Sequence, residues 1–339
     1  MEMLSKDLEF LKGQNKMKLN IQLFATDTMS TLTAENQTFY DRCLLERCTP
    51  ELTFYEDAQK KKIPAGKGTK IEWRKFNSLT PATTPLTEGT TPSGSNLNIT
   101  KVEATLDQYG DYVTVSDVLE MQAKDPIITE TSQLEGEQAG ETLNNVIGDV
   151  ISKGTTVRYA GSATSTGALT NTDVLTGALI KKAVRDLARN NIKRFPDGYY
   201  HATISPEQAY DLMNDTSTGG WIDANKYSNA MPLLKGELGC YAGVRFKESS
   251  VTPKGEGAKI GSTENKYVVH KALIYGKNTY GVPEIGEGGG KPKIIVKQKG
   301  SAGTNDPLDQ RGTIGWKAMF AAKRLNELGI VRIETGVSD

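Results

Sequence analysis

The residues that could carry acid–base, nucleophilic or metal chemistry are few in this sequence and lie far apart. There are two histidines, His201 and His270, and three cysteines, Cys43, Cys48 and Cys240. Neither histidine has a cysteine or an acidic residue at the spacing of zinc ligands or of a Cys-His dyad. We therefore expect no catalytic residue, no metal site and two histidines with structural or surface roles.

Three glycine-rich segments could be mistaken for phosphate-binding loops. "AGKGTK" (65–70) lacks the G-x-x-x-x-G-K-[ST] spacing and precedes a strand-like segment, which is the wrong order for that motif. "GEGAKIG" (255–261) and "GEGGG" (286–290) lack the G-x-G-x-x-G pattern and open no predicted helix. We expect no cofactor and no enzymatic activity.

Length and composition narrow the class of protein further. A chain of 339 residues is long enough for two moderate domains or one large irregular one. Its 41 basic and 41 acidic residues cancel, so no overall field attracts nucleic acid. No apolar run approaches the ~18 residues of a membrane span. The odd number of cysteines favours a reducing environment over a disulfide framework.

The charges are segregated along the chain. Residues 59–76 contain seven basic side chains and one acidic one, whereas residues 103–149 contain eleven acidic side chains and one basic one. Each run can be a solvated face, or the two can meet between neighbouring copies and fix their orientation. The candidate contact residues are Lys60, Lys61, Lys62 and Lys67 on the basic side and Glu130, Glu135, Glu137 and Glu141 on the acidic side.

A projecting β-hairpin is predicted between residues 69 and 118. "TKIEWRKF" (69–76) alternates like a strand, and a β-rich run occupies 101–118. The Pro-, Gly- and Thr-rich segment 77–100 between them can be disordered or can be the end of a long hairpin. The strand-like flanks favour the hairpin, which would be too thin to be stable alone.

A long helix is predicted over residues 127–153, after a start at Asp125-Pro126. Its apolar stripe comprises Leu143, Val146, Ile147, Val150 and Ile151. Three glycines in this segment weaken it by up to ~1 kcal/mol each relative to alanine, so a packing partner is needed.

The segment 313–335, "TIGWKAMFAAKRLNELGIVRIET", is a candidate for that partner. Ile314, Trp316, Ala318, Phe320 and Ala322 alternate with more polar or smaller residues, which indicates a strand and not a helix. A bend at "LNELG" and a second strand follow. We expect the first strand to pack its apolar face beneath the long helix.

The segment between the long helix and the C-terminal strands has a different sequence pattern. "GTTVRYAGSATSTGALT" (154–170) reads as a linker, and helices and strands alternate after it. Predicted helices cover 173–190 and 206–215, and predicted strands lie at 199–205 and near 243–248 and 267–275, whereas a strand at 293–298 begins the return to the first region. Residues 155–285 should therefore form a compact α/β unit.

Three stretches resemble one known family: "ERCTPELTFYEDAQKKKIPAGKGTKIEWRKFNSL", "ALIYGKNTYG" and "DPLDQRGTIGWKAMFAAKRLNELGIVRIE". With the order of elements, they resemble the major capsid proteins of tailed bacteriophages, in the branch named after phage N-four. The resemblance implies an α+β fold of the Hong Kong 97 type. It implies an N-terminal arm (1–60), an extended hairpin called the E-loop with its flanks (61–118), a peripheral domain with a spine helix (119–154), an axial domain (155–285) and strands returning to the peripheral sheet (286–339).

The same resemblance implies self-assembly into hexamers and pentamers of an icosahedral shell around double-stranded DNA. It implies a portal, a separate scaffolding or decoration protein, and no membrane partner. The place would be the virion capsid, assembled in the bacterial cytoplasm. Residues 1–16 can be a helical or flexible extension, or an arm along a neighbour. The competing functions are an encapsulin-like shell around enzyme cargo and another virion component, such as a tail or decoration subunit.

Overall fold

The computed structural model describes residues 44, 47–48, 52–63, 70–76, 79–86, 88–91, 94–122, 127–215, 237–260, 265–285, 292–301 and 306–338. Lys67, the predicted Asp125-Pro126 helix start, the first 43 residues and the glycine-rich segment 286–290 lie outside these ranges. In the described part, no helix has the length and apolar character needed to cross a membrane.

The described strands and helices follow in chain order. The strands are β1 (Gln59–Lys61), β2 (Lys70–Phe76), β3 (Ile99–Thr105), β4 (Asp107–Ser116), β5 (Val157–Tyr159), β6 (Tyr200–Ile204), β7 (Glu237–Tyr241), β8 (Val244–Glu248), β9 (Lys254–Lys259), β10 (Lys266–Tyr275), β11 (Tyr280–Pro283), β12 (Lys293–Lys297), β13 (Arg311–Phe320), β14 (Lys323–Arg324) and β15 (Ile330–Thr335). The α-helices are α1 (Asp117–Gln122), α2 (Ile127–Ser152), α3 (Gly177–Arg189) and α4 (Pro206–Met213).

The largest sheet is seven-stranded and mixed, with the order β5-β15-β10-β6-β8-β7 and β9 paired to β10. Its core joins fully buried strand residues such as Ala202 and Phe246 to Ile180 and Leu187 of α3. The helix α4 begins where the sequence predicts, because Ser205 forms a capping box with Gln208 ahead of Pro206. The alternating helices and strands predicted for the middle block are thus confirmed.

The long helix predicted for residues 127–153 is confirmed as α2. It packs on a three-stranded sheet of order β12-β13-β4. Leu143 and Ile147 share one fully buried core with Ile314, Trp316 and other residues of that sheet. The predicted apolar face of the strand therefore does lie against the helix and supplies the partner that its glycines require.

One helix glycine permits a close approach between segments. A Cβ atom at Gly136 would lie 2.4 Å from the carbonyl oxygen of Leu44, far inside van der Waals contact. The backbone of Leu44 thus lies directly against the helix backbone. Glycine lowers the intrinsic stability of the helix at this position, but its lack of a side chain permits the close packing.

The final strand differs from expectation. The prediction that the C-terminal strands all return to the sheet beneath the long helix is wrong for β15. That strand pairs antiparallel with β10 and parallel with β5 inside the seven-stranded sheet. Ile330 of β15 packs in the core beneath the long helix, and Val331 and Ile333 pack on the other face in the core with α3. Apolar residues on both faces suit a central strand covered on two sides.

The predicted hairpin is present as β2 and β3, paired antiparallel from Lys70↔Thr105 to Phe76↔Ile99. Its base is buried, since Ile71 and Trp73 are 1% and 3% exposed, and its outer end is open, since Phe76 is 61% exposed. The β-rich run at 101–118 contributes to two strands. The buried Leu106 separates β3 from β4, which belongs to the sheet under the long helix.

Candidate assembly interface

The basic residues near the hairpin lie at its junction with the body. Lys60, Lys61 and Lys62 are exposed on and beside β1, which pairs in parallel with β11. The Lys60 ammonium lies 4.4 Å from the centroid of the Tyr55 ring, a cation–π contact. Lys61 donates a hydrogen bond to the Glu72 carbonyl oxygen of β2. Lys61 therefore helps to hold the hairpin base, and all three lysines face solvent.

The acidic candidates on α2 fall into three groups. Glu130 and Glu141 are exposed and suited to contact another copy. Glu137 is exposed but pairs with Arg47 of the same chain at 2.9 Å. Glu135 is only 3% exposed. The expectation that Glu135 offers its carboxylate to a neighbour is corrected, because its side chain is on the face that α2 buries.

A basic cleft lies at the hairpin base. Its volume is about 420 Å³, and the four basic residues that line it are Arg74, Lys75, Lys193 and Lys277. The described residues that line the cleft include no acidic side chain. The sequence analysis missed Lys193 and Lys277 because they come from loops of the central block and reach the cleft only through the fold.

The sheet under α2 carries a second basic surface on its opposite face. Lys293 of β12 lies directly opposite Lys317 of β13 in the strand register. Like charges in such a cross-strand pair destabilise the sheet unless an anion lies close to them. The helix α2 and the sheet beneath it together form a layer with two charged faces. The sheet side is basic, and the exposed side of α2 is acidic. The alternation of Lys317 with buried Trp316 and Ala318 was the available sequence signal.

His201 lies in a buried polar network. Its Nδ1 is 2.7 Å from Asp57 Oδ1, and its Nε2 is 2.9 Å from Asp197 Oδ2. Burial alone would lower the pKa of His201, but the hydrogen bonds and negative charges of Asp57 and Asp197 outweigh it and raise the pKa. With a carboxylate at each ring nitrogen, the imidazolium is the form that donates both hydrogen bonds.

The network is completed by two cations. Lys247 lies 3.3 Å from Asp57, and Arg245 lies 2.8 Å from Asp197. Burial tends to raise the pKa of Asp57, but the His201 hydrogen bond and the Lys247 charge lower it below its ordinary value. The network thus fastens the segment before β1 to the central strands of the large sheet.

The expectation that neither histidine has an acidic partner nearby is wrong for both, because Glu207 Oε2 lies 3.5 Å from His270 Nδ1 and Asp197 contacts His201. Asp197, four residues earlier, reaches its Nε2 because the turn from Phe195 to Tyr199 folds back on β6. Phe195 also stacks on the imidazole at a centroid distance of 3.9 Å. His270 is buried, and its Nδ1 is 2.8 Å from the Ser205 hydroxyl. Both histidines therefore have structural contacts.

The part of the chain that the structure describes contains no group of three or more His, Cys, Asp or Glu side chains placed to hold a metal ion. Within the described residues, Cys48 and Cys240 take part in no disulfide bond. What the fold offers to a ligand is a set of charged surfaces and an exposed hairpin.

Solved structures similar to this chain include two phage capsids and a virus-like particle. The capsid of Ralstonia phage GP4 matches with a TM-score of 0.63 and 16% identity over 83% of this chain and 87% of that one. The capsid of cyanophage P-SCSP1u matches with a TM-score of 0.59 and 16% identity, covering 84% and 88%. A virus-like particle from Pyrococcus furiosus matches with a TM-score of 0.50 and 10% identity, covering 88% and 99%. At these identities the likeness establishes the fold.

The fold is therefore the α+β Hong Kong 97-type fold of capsid shells, as the resemblance implies. By sequence, residues 99–333 match the family described as phage capsid protein, and the chain belongs to that family. It is therefore a phage capsid protein, a structural component of the virion capsid. No curated protein matches the chain by sequence.

Proposed function

We propose that copies of this protein assemble as hexamers and pentamers into a closed head shell around double-stranded DNA. The observation that carries the proposal is the hairpin of β2 and β3. Its distal apolar side chains are exposed: Phe76, Leu79, Leu86, Leu97 and Ile99. Two strands with exposed apolar residues do not form a stable unit in water. A neighbouring copy is the surface that would cover them.

Charge complementarity supports an orientation for this contact. The basic side consists of Lys60, Lys61 and Lys62, together with the basic cleft beside them. The acidic side consists of Glu130 and Glu141 on the exposed face of α2. We include Lys67 in the basic side from its sequence position. Complementary charges of this kind select the register of two copies more than they raise affinity.

A triple substitution tests the contact. Lys60, Lys61 and Lys62 are each changed to Glu, which should abolish shells and leave a folded, dispersed subunit. The matched control changes three exposed basic residues elsewhere, Lys153, Lys182 and Arg189, to Glu. It carries the same change in net charge. Size-exclusion chromatography and electron microscopy report shells, and circular dichroism reports folding.

Normal shells from the Lys60–Lys62 variant would contradict the electrostatic contact. Loss of shells in both variants would show that net charge, and not the position of the lysines, controls assembly. Restoration by Glu130→Lys and Glu141→Lys in the same chain would identify the acidic partner.

The other partners follow from the class of protein. Packaged DNA would meet the inner surface through its phosphates without sequence specificity. A portal and a separate scaffolding or decoration protein would complete the head, which would assemble in the bacterial cytoplasm. An encapsulin-like shell around protein cargo shares the fold, but membership of the phage capsid family favours the genome-enclosing function. Nuclease protection of co-purified DNA inside particles would separate the two.

A further inference from the structure

Glu135 is a buried carboxyl group without a hydrogen-bond donor for one of its oxygens. The residue is 3% exposed, and its Oε2 has no partner. It lies on the face of α2 that packs on the three-stranded sheet. An ionised carboxylate in such a place is strongly disfavoured, because burial separates it from bulk solvent and, among the described residues, no lysine or arginine pairs with it.

The surrounding contacts explain why Glu135 has no donor. The Trp316 indole N–H donates to Gln138 Oε1 at 3.0 Å, which turns the Gln138 amide nitrogen toward Asp111. Gln138 Nε2 then donates to Asp111 Oδ2 at 2.8 Å, and the backbone N–H of Tyr112 donates to Asp111 Oδ1 at 2.8 Å. The donors in this cluster therefore serve Asp111 and not Glu135.

The two carboxyl groups consequently differ in protonation. Hydrogen bonds from Gln138 and Tyr112 lower the pKa of Asp111, which stays ionised. Burial, and secondarily the negative charge of Asp111, raise the pKa of Glu135 to about 7. This is the pattern of two neighbouring carboxyl groups whose environments separate their pKa values.

The other charged groups on the packed elements are directed elsewhere. On α2, Glu137 pairs with Arg47. On β13, Lys317 lies on the sheet face opposite Trp316, and on β12, Lys293 shares that outer face. In the described residues, no lysine or arginine pairs with Glu135. Asp111 of β4 is the charged group that acts on it.

We propose that Glu135 is a proton-controlled lock between the long helix and the three-stranded sheet. As a neutral acid, it lets α2 pack tightly against β4 and β13. Loss of its proton places a second negative charge beside Asp111 in a site without a cation, and the helix loosens from the sheet. The 3% exposure favours a proton over a hydrated metal ion or a partner's lysine as the controlling species.

The direction with pH follows from linkage. Because the pKa of Glu135 is higher in the folded chain than the ordinary value of 4.5, the folded state holds the proton more tightly than the unfolded state. Stability from this site is present at acid pH, falls as the pH rises between the ordinary and folded pKa values, and reaches its minimum above the folded value. This inference concerns the subunit itself and does not depend on the proposed assembly contacts.

Hydrogen–deuterium exchange of the α2 amides tests the lock. It is measured at about pH 6 and about pH 8, corrected for intrinsic exchange, in the wild type, Glu135→Gln and the matched control Glu137→Gln. The wild type and the control should lose protection in α2 by about ten-fold at the higher pH, and Glu135→Gln should not. Asp111→Asn should move the transition to lower pH than in the wild type, because removal of the negative charge of Asp111 favours the ionised form of Glu135 and lowers its pKa.

Infrared difference spectra between the wild type and Glu135→Gln identify the titrating group directly. A protonated carboxyl band should be present at the lower pH and disappear at the higher one. The same pH dependence in the wild type and Glu135→Gln would overturn the proposal. Protection of the wild type by added Mg²⁺ or Ca²⁺, absent in Glu135→Gln, would overturn it in favour of a cation site.

Discussion

Trp316 donates its indole N–H to the side-chain oxygen of Gln138 at 3.0 Å, and this bond joins the C-terminal region of the chain to the long helix. The two residues are 178 positions apart. The same tryptophan is 3% exposed and belongs to the core beneath the helix. One side chain thus contributes both apolar burial and orientation to the layer that must stay rigid in a shell.

Trp316→Phe should destabilise the subunit by about 1–3 kcal/mol, from the lost hydrogen bond and the smaller ring. The free Gln138 amide would then bind Asp111 less well. Urea unfolding followed by fluorescence and circular dichroism measures the change. Lys317→Ala, on the outer face of the same strand, is the control and should change stability much less. Equal losses in both variants would contradict the assigned role of Trp316.

Gly136→Ala should destabilise the subunit even though alanine is the better helix former. The added Cβ would meet the backbone at Leu44 at 2.4 Å, so the two segments must separate, at a cost of about 1–3 kcal/mol. Gly167→Ala is the control, since nothing lies within 4 Å of its Cβ position. Thermal unfolding compares the two. A higher melting temperature for Gly136→Ala would contradict this prediction, because it would show that the Leu44 backbone can move away from the helix at little cost.

Substitution of His201 should change the pH dependence of the free energy of unfolding independently of Glu135. Because the pKa of His201 is raised in the folded chain, its contribution is fully present below the unfolded value of about 6.5 and is lost as the pH rises through the folded value. His201→Asn should be less stable than the wild type at acid pH, and the difference should shrink at alkaline pH. Denaturant titrations across this range measure it, and a difference independent of pH would contradict the charged state.

The exposed end of the hairpin should matter for assembly and not for folding. Leu86→Ser removes a 78% exposed apolar side chain and should leave the melting temperature of the subunit unchanged within experimental error. Shell yield should fall, because the neighbouring copy loses an apolar contact. Sedimentation velocity gives the ratio of subunit to shell. Trp73→Ala, at the buried base, should instead destabilise the subunit.

The periodic elements could be predicted from the sequence, and contacts between distant segments could not. The 3.6-residue pattern of α2 and the two-residue pattern from Ile314 to Phe320 each reflect one buried face, so local sequence determines them. The sheet that β15 joins could not be predicted this way. The sequence pattern of β15 suits the seven-stranded sheet and the sheet beneath α2 equally well. Choice of sheet depends on the register with β10, which no local pattern encodes.

The candidate interface was predictable only in part for the same reason. The charge runs indicated Lys60–Lys62 and the acidic helix, but the side of the helix that is buried decides which acids remain available. Glu135 is four positions before Ala139 and belongs to the buried face, which helical periodicity could have shown. The Asp57–His201 contact spans 144 positions and had no local signal.

Cryo-electron microscopy of the purified protein tests the central claim most directly. The account predicts closed icosahedral shells in which the β2–β3 hairpin of each copy covers a neighbour, with Lys60, Lys61 and Lys62 facing Glu130 and Glu141 across the contact. A folded subunit that stays monomeric at high concentration, or shells in which the hairpin touches no other copy, would contradict it.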